Sequence, residues 1–172
     1  MNVVTIKSID HLIELMERKS EFKFDPVFRG QGRDYPLIPS LFRLSEKMLA
    51  SSWEHLEADL LNEFKRDSYP HLECIPSSEV EWVILAQHHG LPTRCLDWTS
   101  SLAVALYFAV EDLDEENDGF IYRYKPQCIF YEDVPKLSEL FEVDPDVVVY
   151  PKRTFTRITG QRACVSMHAL PE

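Results

Sequence analysis

Apolar positions along this chain recur first at helical spacing and later at every second residue, and that change organises it. Val3-Val4-Thr5-Ile6 predicts a short strand, after which Ser8 caps a helix over residues 9–19 with Ile9, Leu12, Ile13 and Met16 on one face. Residues 26–30, PVFRG, predict a second strand ending at Gly30, and Gly32, Pro36 and Pro39 make the next stretch a loop. Trp53, Leu56, Leu60, Leu61 and Phe64 stripe a helix over 53–68, whose Glu54, Glu57, Asp59 and Glu63 are expected on a solvated face. Ser78 and Glu81 form a capping box ahead of Val80, Val83 and Ile84, so a helix should run to His89 and stop at Gly90. A turn follows, and Thr99 or Ser100 caps a helix over 101–111 that is apolar on nearly every side and therefore expected to be buried. Period-two patterns then predict strands at 119–125, 146–151, 154–158 and 163–167. Helices occupy the first two-thirds and strands the last third. The expected class is α+β, with the helices packed on a mixed or antiparallel sheet.

Length and composition narrow this picture. At 172 residues, with no internal repeat and no low-complexity linker, the chain is expected to be one domain. Its net charge of −11 argues against broad, sequence-independent nucleic-acid binding, which depends on basic surface. Cys74, Cys95, Cys128 and Cys164 are scattered, with neither zinc-site spacing nor a secreted disulfide framework. The N-terminus lacks the pattern of a signal peptide, and no stretch approaches the roughly 18 apolar residues of a membrane span. A cytoplasmic protein with no membrane partner is the expectation.

Three polar clusters interrupt the pattern. In Phe28-Arg29-Gly30, an arginine at a strand end offers a planar fork to phosphate or carboxylate, and the glycine beside it admits a ligand to the backbone. Equally open is an internal salt bridge from Arg29 to Asp97, with Gly30 serving only a turn. The second cluster spans Gln87 to Ser101. Adjacent His88 and His89 point about 100° apart on a helix, which suits no single metal, and no metal is expected. Thr93, Arg94 and Asp97 fall in the turn, where Arg94 and Asp97 serve a ligand or lock each other. Trp98 reads as ring stacking or as core, while Thr99, Ser100 and Ser101 read as an anion site at a helix start or as plain caps. The third cluster, Gln161-Arg162 with His168, lies near the last strand.

Together these segments resemble the FRG domain, a bacterial and phage family named for its Phe-Arg-Gly motif. Phe28-Arg29-Gly30 carries the name. The central Gln87-His88-His89-Gly90-Leu91-Pro92-Thr93-Arg94, Leu96-Asp97-Trp98-Thr99 and Ala105-Leu106-Tyr107-Phe108-Ala109 continue the match, and Gln161-Arg162-Ala163 through Met167-His168 closes it, with Ala163 in place of the usual glycine. The resemblance implies a single FRG domain over 1–172 and leaves room for a C-terminal extension that this chain lacks. A more distant likeness is to NAD-dependent ADP-ribosyltransferases of the Arg–Ser–Glu type, and it implies their fold. On that likeness Arg29, Gly30, Arg94, Asp97, Thr99, Ser100 and Ser101 hold NAD, and Tyr35 or Trp98 stacks on a ring. Catalysis then falls to Arg29, His88, His89 and Gln161. Gln161 stands where those enzymes carry a glutamate, and glutamine supplies no negative charge to a developing cation.

Three functions stay open at this level. One is ADP-ribosyl transfer from NAD, or cleavage of NAD, with a protein or small-molecule acceptor and a role in conflict between bacteria and phages. The second is non-catalytic sensing of a nucleotide or phosphorylated small molecule. The third is a nuclease or hydrolase built on His88, His89 and Asp97.

Overall fold

The computed structural model describes residues 3–17, 24–44, 52–111, 117–131, 136–137, 146–151 and 162–171. Among the described residues, four α-helices pack with a six-stranded mixed sheet, so the class is α+β. The helices are α1 (Ile9–Glu17), α2 (Trp53–Ser68), α3 (Glu79–His88) and α4 (Leu102–Val110). The strands are β1 (Val27–Gln31), β2 (Cys95–Thr99), β3 (Phe120–Tyr124), β4 (Ile129–Tyr131), β5 (Asp146–Tyr150) and β6 (Ala163–His168). Across the sheet they run β3-β1-β2-β6-β5-β4. Every pairing is antiparallel except the parallel β4–β5 edge.

Side-chain alternation gives the sheet two different faces. Cys95 of β2, Val147 and Val149 of β5, and Val165 and Met167 of β6 form one core with α3 and Leu61 of α2. Leu96 and Trp98 of β2, Val148 of β5 and Cys164 of β6 turn the other way and cluster with Val27. Helix α3 is the central helix: Val80 and all residues from Trp82 to Ala86 are buried. Its start is the expected cap, with Ser78 Oγ accepting the Glu81 amide at 3.2 Å, while the Glu81 carboxylate turns back to the Ser77 amide at 2.6 Å. Ser78→Ala should therefore lower the urea midpoint by the equivalent of about 1 kcal/mol. The helix ends at a left-handed Gly90, φ +87°, the backbone conformation that favours glycine.

Several expectations change. No strand forms over residues 3–6; Val3 and Val4 are exposed there, and in α1 Leu12 is buried while Ile9 and Ile13 are exposed. The stretch read as a turn contains β2, a strand in the interior of the sheet. Glu57 is buried, not solvated, because Arg94 draws it in. Helix α4 is buried only along Ala105 and Ala109, whereas Tyr107 and Val110 face outward. Hydropathy marked α4 as lacking a polar face, but its place over the β1–β3 side of the sheet decides which face is covered. The expected strand at 154–158 lies outside the described residues. Among the described residues, no helix is long and apolar enough to cross a membrane.

Candidate functional site

Strand β2 carries an anomaly for an interior strand: Asp97 is exposed between residues that are buried. The reason is a cavity of about 320 Å³ between the end of α3, the start of α4 and the sheet. Ile84, Gln87 and His88 of α3 form one wall, and Val104 and Phe108 of α4 the other. Beneath them lie Phe28 to Gly30 of β1, Asp97 to Thr99 of β2 and Ala163 to Val165 of β6, with Pro151 alongside. Apolar walls around a few placed polar groups are the usual make-up of a small-molecule site.

Asp97 is held from one side. Gln87 Nε2 donates to Asp97 Oδ1 at 2.6 Å, and Gln87 Oε1 accepts from the Thr93 hydroxyl at 2.5 Å. Arg29 approaches from the other side. Strands β1 and β2 share a single register pair, Phe28 opposite Thr99, and part beyond it. The Arg29 guanidinium closes this fork by donating from Nη1 to the Asp97 main-chain carbonyl at 2.7 Å. With its amide turned to satisfy both neighbours, Gln31 accepts from Arg29 Nε at 3.1 Å and donates to the Tyr35 carbonyl at 3.2 Å. Burial lowers the Arg29 pKa and the nearby Asp97 charge opposes that shift. An arginine nonetheless stays protonated at any ordinary pH.

The cavity thus gathers Arg29, Gly30, His88, Asp97, Trp98 and Thr99 from the residues singled out in the sequence. Others go elsewhere. Arg94 forms a buried bidentate pair with Glu57, Nε to Oε1 at 2.8 Å and Nη2 to Oε2. His89, at the helix end, lies against Phe64 with ring centroids 6.0 Å apart and meets the His88 ring edge-on at 5.4 Å. Tyr35 is exposed away from the cavity, and its carbonyl accepts from Tyr122. Trp98 borders the cavity, but its indole belongs to the opposite core, where Nε1 donates to Ser166 Oγ at 2.8 Å. The Ser100 and Ser101 amides donate to the Arg162 carbonyl at 3.2 Å and to Thr99 Oγ1 at 3.0 Å. Gly30 touches the cavity, yet the close approach it permits is that of α4, since a Cβ there would lie 1.8 Å from the Ala105 carbonyl oxygen. Gln161 lies outside the described residues.

Gln87 and Thr93 matter more than their sequence context indicated. The signal was the alternation Leu96, Trp98 against Cys95, Asp97, Thr99, which marks a strand and places Asp97 on one face. Among the described residues, no group of three or more His, Cys, Asp or Glu side chains is placed to hold a metal.

With this geometry in hand, comparison with known proteins gives one match. Residues 25–118 fit the FRG domain family, from before β1 to just before β3. This chain belongs to the FRG domain family. The matched span contains the Arg29 fork, the Thr93–Gln87–Asp97 chain and both cavity helices, α3 and α4. No curated protein and no solved structure matches the chain.

Proposed function

We propose that the cavity of this FRG domain binds a nucleotide, with NAD the first candidate, and that it cleaves NAD or transfers its ADP-ribosyl group. The observation that carries this is the exposed Asp97 carboxylate on the cavity floor, within reach of the charge of Arg29. A glutamate missing from the last strand counted against catalysis. Asp97 lies on the adjacent strand, in register with Val165 of β6, and brings a carboxylate to that part of the sheet. Its negative charge would accept ribose hydroxyls and stabilise the cation that develops at the anomeric carbon. In that step the nicotinamide nitrogen leaves with the bonding electron pair. Water or an acceptor hydroxyl attacks the carbon and gives up its proton, for which His88 on the α3 wall is the nearest candidate base. A cavity of about 320 Å³ is at the small end of the roughly 300–1,000 Å³ usual for ligand sites. It suits one nucleoside end, with the remainder of the molecule along the mouth.

Non-catalytic sensing is favoured by one observation, that Arg29 already donates to the protein rather than holding all its donors ready. Calorimetry with NAD, beside an assay for released nicotinamide, separates the two. Asp97→Asn is the better probe, since Arg29 also ties β1 to β2. Wild-type protein should bind NAD and release nicotinamide, and Asp97→Asn should lower the release about a hundredfold or more. Binding without release would make the domain a sensor. A wild type that neither binds NAD nor releases nicotinamide would sink both.

A further inference from the structure

We infer that Thr93 and Gln87 form a one-directional hydrogen-bond relay that fixes Asp97 as an acceptor and selects a hydroxyl- or amine-bearing ligand group, such as a sugar diol, over a phosphate at that point. The inference deepens the nucleotide reading by saying which part of the ligand Asp97 takes.

Proton directions follow from the partners. The Cys95 amide donates to Thr93 Oγ1 at 3.3 Å. A hydroxyl has one proton to give, and that of Thr93 goes to Gln87 Oε1 at 2.5 Å. The carboxamide is thereby oriented with its nitrogen toward Asp97, where Nε2 donates to Oδ1 at 2.6 Å. Turning the amide over would set its oxygen against a carboxylate oxygen, acceptor against acceptor. The relay therefore starts at a main-chain N–H and ends on a carboxylate that only receives.

Its anchor is rigid. Thr93 is 2% exposed. Its amide donates to Ser40 Oγ at 3.1 Å, and its carbonyl accepts from the Leu41 amide at 3.0 Å. Gln87 lies in the last turn of α3, so the relay ties the helix end, the following loop and the interior strand to a single side chain. Asp97 Oδ1 accepts from Gln87, and the side chain is exposed in the cavity lining. An ionised carboxylate oxygen takes a donor and repels a phosphate oxygen. Thr93 is thus a positioning residue that acts on Asp97 through Gln87, and Gln87 holds Asp97 from the cavity wall.

The test uses the full chain, nitrogen-15 labelled, as wild type, Thr93→Val and Thr93→Ser. The Gln87 side-chain amide should give two well-separated, slowly exchanging proton resonances in the wild type. These should collapse toward solvent values in Thr93→Val and persist in Thr93→Ser. NAD affinity should fall about tenfold in Thr93→Val, the scale of one hydrogen bond, and recover to within about twofold in Thr93→Ser. Inorganic phosphate, used as the competing probe, should show no dependence on Thr93. Unchanged Gln87 resonances in Thr93→Val would overturn the relay, as would equal loss in both variants. Phosphate binding that tracks Thr93 would overturn the selectivity. A wild type indifferent to NAD would remove the nucleotide reading alone, and the Gln87 resonances would then judge the relay by themselves.

Discussion

Gly30→Ala should cost this protein about 3 kcal/mol or more, at or above the upper end for overpacking a core. Most overpacked sites relax because a side chain can change rotamer. Here the new methyl carbon would stand 1.8 Å from the Ala105 carbonyl oxygen and 2.8 Å from the Ala109 amide nitrogen, both main-chain atoms of α4. The helix would have to lift off β1 or the strand would have to bend. For a chain of this length the melting temperature should fall by roughly 10 °C. Function should fall with it, since Val104 and Phe108 on the displaced helix form one cavity wall. Gly32→Ala is the control: a Cβ at Gly32 meets nothing within 4 Å, and its melting temperature should match that of the wild type. A Gly30→Ala protein melting like the wild type would refute the close helix contact. The glycine of the Phe28-Arg29-Gly30 motif is thereby given a packing role as well as a place in the cavity lining.

Arg94→Ala is the second large effect. Arg94 and Glu57 are 7% and 8% exposed and pair through two hydrogen bonds. Removing the guanidinium leaves a carboxylate buried without its cation, and breaking a buried pair in this way typically costs about 3–5 kcal/mol. Glu57→Ala should cost a similar amount by stranding the arginine. The double variant Glu57→Leu with Arg94→Met should recover most of the loss, because two apolar groups of similar size need no partner. Urea unfolding of the four proteins reads this out. NAD affinity, measured where each variant is folded, should stay near the wild-type value, because neither residue lines the cavity. A stable Arg94→Ala protein that had lost its ligand would return Arg94 to the binding site.

These two residues also mark where sequence patterns stop being informative. Helix α2 was legible because Leu56, Leu60 and Phe64 repeat at helical spacing, and the structure adds Ser52 as the cap of its first turn. On the same helix, Glu57 looked like its neighbours Glu54 and Glu63. Its burial depends on a partner 37 residues later, and no local pattern encodes such a pairing. Strand β2 was hidden by Gly90 and Pro92 ahead of it and by the polar Asp97 and Thr99 within it. A polar residue on an interior strand breaks the hydrophobic run by which such strands are recognised, and here the break is the site itself. The resemblance located Arg29, His88, Asp97 and Thr99 near one another, and the cavity lining agrees for those four. Arg94, Ser100 and Ser101, which it also assigned to the ligand, have internal partners for the guanidinium and the two amides.

The strand order has a consequence for when this molecule is complete. Strands β3, β1 and β2 make one half of the sheet and β5 with β4 the other, and β6, residues Ala163–His168, is the strand that joins them. Among the described residues it is also the last strand in sequence order. During synthesis a growing chain therefore carries two open edges that wait for each other, and pairings this distant in sequence form slowly. The floor of the cavity at Ala163 to Val165 arrives with that strand. A chain lacking it has no finished pocket, so whatever chemistry the site performs waits on a pairing between strands far apart in sequence.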